Sequence, residues 1–247
     1  MEGPLQFENV FYRNKTGLEA LVLAAKVFLV REKTELGVLA EKLKTFRVEQ
    51  DTRVEEVDFA LTTEVKDLSV SRSILEGTFA FDDVFVVKHR GKVVPIPRTY
   101  EAPFSFELFK ERLFLTIYEK KSRANNIANE MSKALFMSLG EVVEARIKPE
   151  TLKKFHEENF DDTKIVFFDD VDIPNISKLS LYGSGLGVTS LYNEYLEHGK
   201  IWYAVIKSRK YGYVVGVTRN SVVTVFSRVD LPEFKTFIRS EIVPLIE

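Results

Sequence analysis

The residues most typical of a binding surface lie between Lys200 and Arg228. This stretch contains six lysines and arginines, five aromatic residues and no aspartate or glutamate. Lysine and arginine neutralise phosphates, and aromatic rings stack on bases, so this composition favours contact with DNA or RNA. A second basic region surrounds Lys120. The candidate contact residues are Lys207, Arg209, Lys210, Tyr211, Arg219, Lys120, Lys121 and Arg123.

The same stretch is also typical of an ordinary sheet rim. Strand alternation buries about half of its aromatic side chains. The two predicted turns, 208–212 and 218–221, lie at opposite ends of the strands that they join. A solvated rim over a packed aromatic core is therefore the alternative to a nucleic-acid surface.

A glycine-rich loop precedes a predicted helix that ends at His198. Gly183, Ser184 and Gly185 are candidate anion-binding residues, because successive backbone N–H groups at a helix N-terminus can hold an anion. The glycine spacing differs from that of a dinucleotide-binding fingerprint. The alternative is a flexible turn that lets the following helix dock closely.

Three carboxylates, Asp169, Asp170 and Asp172, come directly after a predicted strand, 164–168. Proteins with alternating strands and helices often place Mg²⁺ ligands at this position, because hard cations prefer several oxygen ligands together. This pattern predicts, as an alternative function, a metal-dependent phosphoryl-transfer or nuclease activity with Mg²⁺ as cofactor; otherwise no cofactor is expected. Further acids between 157 and 162 make a solvated acidic rim the alternative.

A weaker nuclease pattern occurs earlier in the chain. Metal-dependent nucleases often pair an aspartate with a Glu-x-Lys motif across a hairpin. Here Asp58 is followed by Glu64, Val65 and Lys66. That separation is shorter than a hairpin normally needs, and the short motif is common by chance.

The sequence offers little for nucleophilic catalysis. The absence of cysteine excludes disulfides, thiolate metal sites and a cysteine nucleophile. Ser184 does not lie in a Gly-x-Ser-x-Gly elbow. We expect His89 in a turn, His156 on a solvated helix face and His198 at a helix C-terminus, where a positive charge suits the helix dipole. Surface roles are therefore predicted for all three histidines.

The elements that must position these residues predict an α+β fold. Residues 1–112 are expected to form a β-rich N-terminal part, packed on a layered α/β part formed by residues 113–247. The two parts could equally form one continuous domain. The second part is expected to end in a helix, a three-stranded antiparallel meander and a helix. The prolines from Pro95 to Pro103 predict an edge strand or a linker.

Local signals place several individual elements. The segment Leu5–Tyr12 is a candidate first strand, and residues 34–46 have the spacing of an amphipathic helix. Helix starts are expected at Ser122, at Thr189 or the serine after it, and at Asp230, because these residue types cap helix N-termini.

Composition predicts an ordinary globular protein. Apolar residues make up 45% and charged residues 29% of its 247 residues. We expect a cytoplasmic protein without membrane contact, because the start lacks a signal pattern and no apolar run is long enough to span a bilayer. Two glutamines, no cysteine and abundant glutamate and lysine are typical of a thermophile.

The distribution of charge along the chain decides the order in which we rank the possible functions. The formal net charge is −2, but residues 155–172 are strongly acidic and residues 200–228 strongly basic. The first hypothesis is a non-enzymatic nucleic-acid-binding protein. The alternatives are the metal-dependent enzyme and an oligomeric interaction scaffold that uses exposed strand edges; the bipolar charge also permits a homo-oligomer.

Overall fold

The computed structural model of the chain describes residues 23–159 and 163–246. Within these residues, twelve strands form one sheet and five α-helices pack against it. The α+β class predicted from the sequence is confirmed. The first strand predicted at Leu5–Tyr12 lies outside the described residues.

The elements are numbered in chain order. The strands are β1 Leu23–Val30, β2 Arg47–Val54, β3 Val57–Val70, β4 Ile74–His89, β5 Lys92–Phe109, β6 Arg112–Ile117, β7 Val142–Glu144, β8 Ile165–Asp169, β9 Leu179–Tyr182, β10 Lys200–Lys207, β11 Val214–Thr218 and β12 Val222–Val225. The helices are α1 Leu36–Lys44, α2 Lys121–Phe136, α3 Pro149–Glu158, α4 Ser190–His198 and α5 Leu231–Phe237. None of the helices in the described ranges is long and apolar enough to cross a membrane.

Strand β1 joins the two halves of the sheet. The strand order is β2-β3-β4-β5-β6-β1-β12-β11-β10-β8-β9, and β7 pairs with β1. Lys26 of β1 lies opposite Ile117 of β6 on one side and opposite Val222 of β12 on the other. The boundary expected between residues 112 and 113 therefore falls inside β6, within a continuous hydrogen-bonded sheet.

Alternate side chains of the central strands enter two different cores, because neighbouring residues of a strand point to opposite faces. Ala25 and Val27 pack in a core shared with α3, α4 and α5, on what we call the α5 face. Phe28 and Val30 pack in a core shared with α1 and α2, on the α2 face. Helices thus cover both faces of the centre of the sheet.

Two of the three helix starts predicted from capping residues are found where the sequence predicted them. The side chain of Thr189 caps α4, and Asp230 forms a reciprocal capping box with Glu233 at the start of α5. Helix α2 differs, because it begins one residue before Ser122 and has no side-chain cap. It ends at Met137, whose left-handed backbone (φ 54°) closes the last turn.

The proline-rich segment belongs to a strand and does not form a linker. Pro95 and Pro97 lie in β5, opposite Val86 and Val84 of β4. The pairing of β5 with β6 begins only at Phe104, so this part of β5 is an edge, as proline requires. The edge-strand prediction is therefore confirmed.

Candidate nucleic-acid interface

Four aromatic rings lie side by side on three neighbouring strands in the C-terminal half of the sheet. The ring centroid of Phe167 on β8 is 5.6 Å from that of Tyr182 on β9. It is 5.7 Å from that of Trp202 and 5.5 Å from that of Tyr203, both on β10. We call these four residues the aromatic cluster. The rings pack tilted or edge-on against each other and form one continuous apolar cluster.

The cluster lies on the α2 face, beside the helices and not beneath them. Residues directly opposite each other in an antiparallel pair share a face. Starting from Ala24 on the α2 face of β1, the residues that lie opposite one another are Thr224 of β12, Gly216 of β11 and Val205 of β10. Val205 is two residues from Tyr203 on the same strand, so both side chains point to the α2 face. In the described part of the chain, the four rings belong to neither of the two helix-covered cores. No described helix therefore covers this half of the α2 face, and we call it the open face.

A break in the strand register brings two consecutive rings together. The pairing of β10 with β8 shifts between Ile201 and Tyr203, and the extra residue is Trp202. In a regular strand, Trp202 and Tyr203 would point to opposite faces; a bulge re-aims one of them. Their ring centroids are 5.8 Å apart, and both contact Phe167.

Gly216 of β11 makes room for Tyr203. A Cβ atom at Gly216 would lie 2.8 Å from Cε2 and 2.9 Å from Cζ of that tyrosine. The ring therefore lies flat on the backbone of β11. No larger residue fits at this position without moving Tyr203.

The cluster combines exposed ring surface with buried polar atoms. Tyr182 is 59% exposed, and Trp202, Tyr203 and Phe167 are half-buried. Burial raises the pKa of Tyr203 to about 12, so its hydroxyl stays protonated at neutral pH. The indole N–H of Trp202 is buried and finds no acceptor among the described residues. This N–H can only donate, and its burial keeps it out of reach of a ligand on the surface.

Three lysines border the cluster. The amine of Lys178 lies 5.4 Å from the centre of the Trp202 ring. Lys200 and Lys207 are exposed at the two ends of β10. Lys207 lies four residues from Tyr203 on the same face, at a distance of roughly 13 Å along the strand. The open face therefore has cations on its rim, close enough to reach phosphates of a strand lying on the rings.

The second basic region flanks the same face. The amine of Lys26 on β1 donates to Asn125 of α2 (2.8 Å), which fixes the start of that helix on the α2 face. Lys120 and Lys121 are exposed there. Arg123 binds Glu119 (3.1 Å), and its guanidinium lies 4.5 Å from the centre of the Tyr100 ring. Of the three predicted residues, Arg123 therefore already has an acid and an aromatic partner.

The loop between β10 and β11 packs against the end of α5. Lys210 forms an ion pair with Glu241 (2.7 Å). Tyr211 packs edge-on against Phe237, and its hydroxyl shares a hydrogen bond of 2.7 Å with Ser240. Tyr211 thus presents its ring to the protein and not to solvent. Arg209 is exposed, and its backbone N–H donates to Asn159 (2.9 Å).

Arg219 lies at the other end of the meander and is held by acids. Its guanidinium donates to the Asp169 carboxylate and lies 3.6 Å from Asp170. Burial raises the pKa of Asp169, and the charge of Arg219 opposes that shift. The fold therefore brings Lys207 to the open face and holds Arg219 in an ion pair, although both were predicted to contact nucleic acid.

The three predicted metal ligands bind different partners. Asp169 and Asp170 face Arg219, whereas Asp172 accepts a hydrogen bond of 2.8 Å from Nδ1 of His198. In residues 23–159 and 163–246, no group of three or more acids and histidines is arranged to hold a metal ion. The Mg²⁺-dependent activity stays a prediction.

The other nuclease pattern is spread along β3. Asp58 and Glu64 are six residues apart on one strand, a separation of about 20 Å. Asp58 lies 3.7 Å from Arg53, and Lys66 lies 3.2 Å from Glu64. These side chains therefore form separate surface ion pairs and do not meet at one site.

The glycine loop makes a close turn between β9 and α4. The N–H of Gly183 donates to the carbonyl of Lys164 (3.0 Å), and Gly185 adopts a left-handed φ of 62°. A Cβ atom on Gly183 would lie 2.9 Å from the side chain of Leu186. These contacts favour the close-docking turn, and the anion site at Gly183, Ser184 and Gly185 stays a prediction.

His156 corrects one expectation directly. It was predicted on a solvated helix face, but its side chain is fully buried in α3. Its Nδ1 lies 2.9 Å from the Tyr192 hydroxyl, and its Nε2 lies 3.0 Å from the Thr163 hydroxyl. Helix α3 is covered by α4 on this side, which periodicity within α3 could not show. His198 does lie in the last turn of α4, as predicted.

Sequence reasoning selected the loops of the meander and missed its sheet face. Two consecutive aromatic residues, Trp202 and Tyr203, broke the expected alternation of β10 and were the available signal for a bulge. Phe167 and Tyr182 lie 20 and more residues away in sequence. Their place in the cluster follows only from the pairing of β8 with β9 and β10. Comparison with known protein families and with curated proteins found no family model and no curated protein that matches this chain.

Proposed function

We propose that the open α2 face of β8–β11 binds single-stranded nucleic acid without catalysing a reaction. The observation that carries the proposal is the aromatic cluster, which spans three neighbouring strands on a sheet face that no described helix covers. Bases stack on such rings, at about 1–3 kcal/mol for each base.

The geometry favours single strands over duplexes. A duplex keeps its bases stacked on each other, so aromatic rings on a protein surface cannot reach their faces. Three strands spaced by about 4.8 Å present a platform roughly 10 Å wide, which suits two or three splayed bases.

The cations expected to act are those on the rim of the cluster. Lys178, Lys200 and Lys207 are exposed on or beside the open face. Lys210 and Arg219 would first have to leave Glu241 and Asp169. Three phosphate contacts on a single strand predict that log K falls with log salt with a slope of about −2.

The test is a fluorescence-anisotropy titration with labelled single-stranded DNA, single-stranded RNA and duplex DNA of equal length. We expect salt-sensitive binding to one or both single strands and weaker binding to the duplex. Tyr182→Ala should weaken binding about tenfold, because it removes the most exposed ring. Tyr182→Phe keeps the ring and should bind like the unaltered protein.

A matched control separates stacking from a general loss of apolar surface. Leu191 on α4 is 47% exposed and lies outside the aromatic cluster, so Leu191→Ala should leave binding unchanged. Absence of binding to either single strand at low salt would refute the proposal. Equal weakening by Tyr182→Ala and Leu191→Ala would show that the rings are not the binding surface.

A further inference from the structure

Two β-hairpin arms leave the sheet where β3 and β4 separate. The two strands pair from Val70 opposite Leu75 as far as Thr63 opposite Phe81. Beyond that point, among the described strands, β3 pairs only with β2, and β4 pairs only with β5. We call residues 47–62 the first arm and residues 82–99 the second arm.

Asp82 fixes the fork between the arms. One oxygen of its carboxylate accepts from the backbone N–H of Thr62 (2.9 Å), and the other accepts from the hydroxyl of Thr99 (2.6 Å). These two hydrogen bonds lower the pKa of Asp82. The Asp82 side chain thus replaces the backbone hydrogen bond that would come next in the β3–β4 ladder after Thr63 and Phe81. The separation of the two arms is therefore part of the fold.

The second arm is apolar along both of its strands and on both of its faces. Neighbouring residues Phe85 and Val86 are each 45% exposed, although they point to opposite faces. Val93, Val94 and Ile96 of the facing strand are 38%, 43% and 39% exposed. Together the five side chains expose on the order of 350 Å² of apolar surface, divided between the two faces of the arm.

The two edges of the second arm differ. Val84 and Val86 of β4 lie opposite Pro97 and Pro95 of β5. Because a proline nitrogen cannot donate to the neighbouring strand, the backbone nitrogens at these four positions face outward, away from the β4–β5 ladder. The β5 edge therefore lacks donors at two consecutive outward positions. On the β4 edge, the outward N–H of Val84 donates to the adjacent Asp83 side chain (2.8 Å), its one partner among residues 23–159 and 163–246. The β4 edge can accept another strand.

Charge along that edge is self-complementary. Asp82 and Asp83 stand at the base of the second arm, and Lys88 and Arg90 stand at its tip, with the apolar run Val84–Val87 between them. When two copies pair antiparallel, the acidic base of each arm meets the basic tip of the other. The same segment of two copies can therefore pair with itself about a twofold axis, with opposite charges facing each other.

We propose that the β4 edge of the second arm pairs antiparallel with the same edge of a second copy of this chain. Outward residues must face outward residues in such a ladder. The twofold axis therefore passes at Val86, which faces Val86 of the second copy, and Val84 faces Lys88 of that copy. Phe85 then packs beside Val87 of the second copy, and Asp83 lies beside the partner's basic tip.

The pairing strand supplies a modest dimer contact. Of the five exposed side chains, Phe85 and Val86 lie on β4, whereas Val93, Val94 and Ile96 lie on β5, one strand away from the ladder. The contact therefore depends mainly on the backbone hydrogen bonds of the ladder, and it buries less than the 800 Å² or so that each partner buries in a standard interface. This surface is separate from the aromatic cluster, so the dimer and the nucleic-acid proposal stand or fall independently.

The first experiment is sedimentation equilibrium of the full chain over a wide concentration range. We expect a monomer–dimer equilibrium in the unaltered protein. Val86→Pro removes the central outward N–H without touching the β4–β5 pairing, as Pro95 already does on the facing strand, and should abolish the dimer. Val93→Pro makes the same change on the β5 edge and should leave it intact. A protein that stays monomeric at every concentration, or a dimer that survives Val86→Pro, would overturn the proposal.

The second experiment tests the antiparallel direction by charge reversal. Lys88→Glu/Arg90→Glu and Asp83→Lys should each weaken self-association about tenfold, because like charges then meet twice in each dimer. An equimolar mixture of these two variants should recover association, since each acidic end then faces a basic end. Recovery would support the ladder, and a mixture that stays monomeric would refute it. Circular dichroism of each variant checks that the exposed substitutions leave the fold unchanged.

Discussion

The ring of Tyr203 lies directly on the backbone of Gly216, so that a Cβ atom at residue 216 would come within 2.8 Å of the tyrosine Cε2 atom. Because residue 216 on β11 has no side chain, the Tyr203 ring on β10 can occupy this position. Because that ring also contacts Phe167 and Trp202, the aromatic cluster depends on this contact.

Gly216→Ala is therefore expected to displace Tyr203 and weaken binding of single-stranded nucleic acid about tenfold. Overpacking should also lower the free energy of unfolding by about 1–3 kcal/mol. Anisotropy and urea denaturation measure the two effects. Gly37→Ala is the control, because nothing lies within 4 Å of a Cβ atom at that helical position. Unchanged tryptophan fluorescence and affinity in Gly216→Ala would contradict the argument.

Lys207 and Arg219 should behave differently although both are basic residues of the meander. Lys207→Ala is expected to reduce the magnitude of the salt slope by about 0.7 and to leave stability unchanged, because it removes one exposed phosphate contact. Arg219→Ala should lower the free energy of unfolding by about 1–3 kcal/mol, since Asp169 loses its partner. Salt titrations and urea denaturation separate the two. A larger loss of affinity in Arg219→Ala than in Lys207→Ala would contradict this division of roles between the two cations.

Stability is expected to fall in mild acid because of His156. Burial lowers the pKa of its imidazole to about 4, whereas an unfolded histidine has a pKa of about 6.5. Below pH 6.5 the unfolded chain takes up a proton that the folded chain refuses. The stabilisation from this residue is thus complete above pH 6.5 and is lost between pH 6.5 and 4, by up to about 3 kcal/mol.

Urea denaturation at several pH values measures this loss. His156→Gln should be less stable at neutral pH but should lack that part of the pH dependence. His89→Gln is the matched control, because His89 is exposed at the tip of the second arm and should not change the profile. The same acid sensitivity in His156→Gln as in the unaltered protein would assign it to other groups.

Lys26 is expected to depend strongly on Glu144. Its side chain is 1% exposed, and its amine donates to Glu144 (2.6 Å) and to Asn125 (2.8 Å). Glu144→Ala leaves a buried ammonium group without its counter-charge and should cost about 2–4 kcal/mol. Lys26→Met/Glu144→Ala removes both charges and should recover most of that loss. Thermal denaturation compares the variants, and additive losses in the double variant would contradict a buried pair.

Short-range signals in the sequence determined the α+β class, the capped starts of α4 and α5, the three strands of the meander and the edge position of Pro95 and Pro97. Caps, turns and proline geometry act over a few residues, so they can be recognised without the rest of the chain. The basic and aromatic composition of residues 200–228 likewise favours a nucleic-acid surface by residue type alone.

Long-range pairing decided the rest. Lys26 interrupts an apolar run in the sequence, but the fold buries it because α2 and β7 bring Asn125 and Glu144 to its amine. His156 is inside because α4 covers it, and Arg219 is neutralised because β8 ends beside it. Phe167 and Tyr182 join Trp202 and Tyr203 only through strand register. Contacts between residues far apart in sequence leave no periodic trace, so only the tertiary structure could place the rings on the sheet face and hold the predicted cations Lys210 and Arg219 in ion pairs.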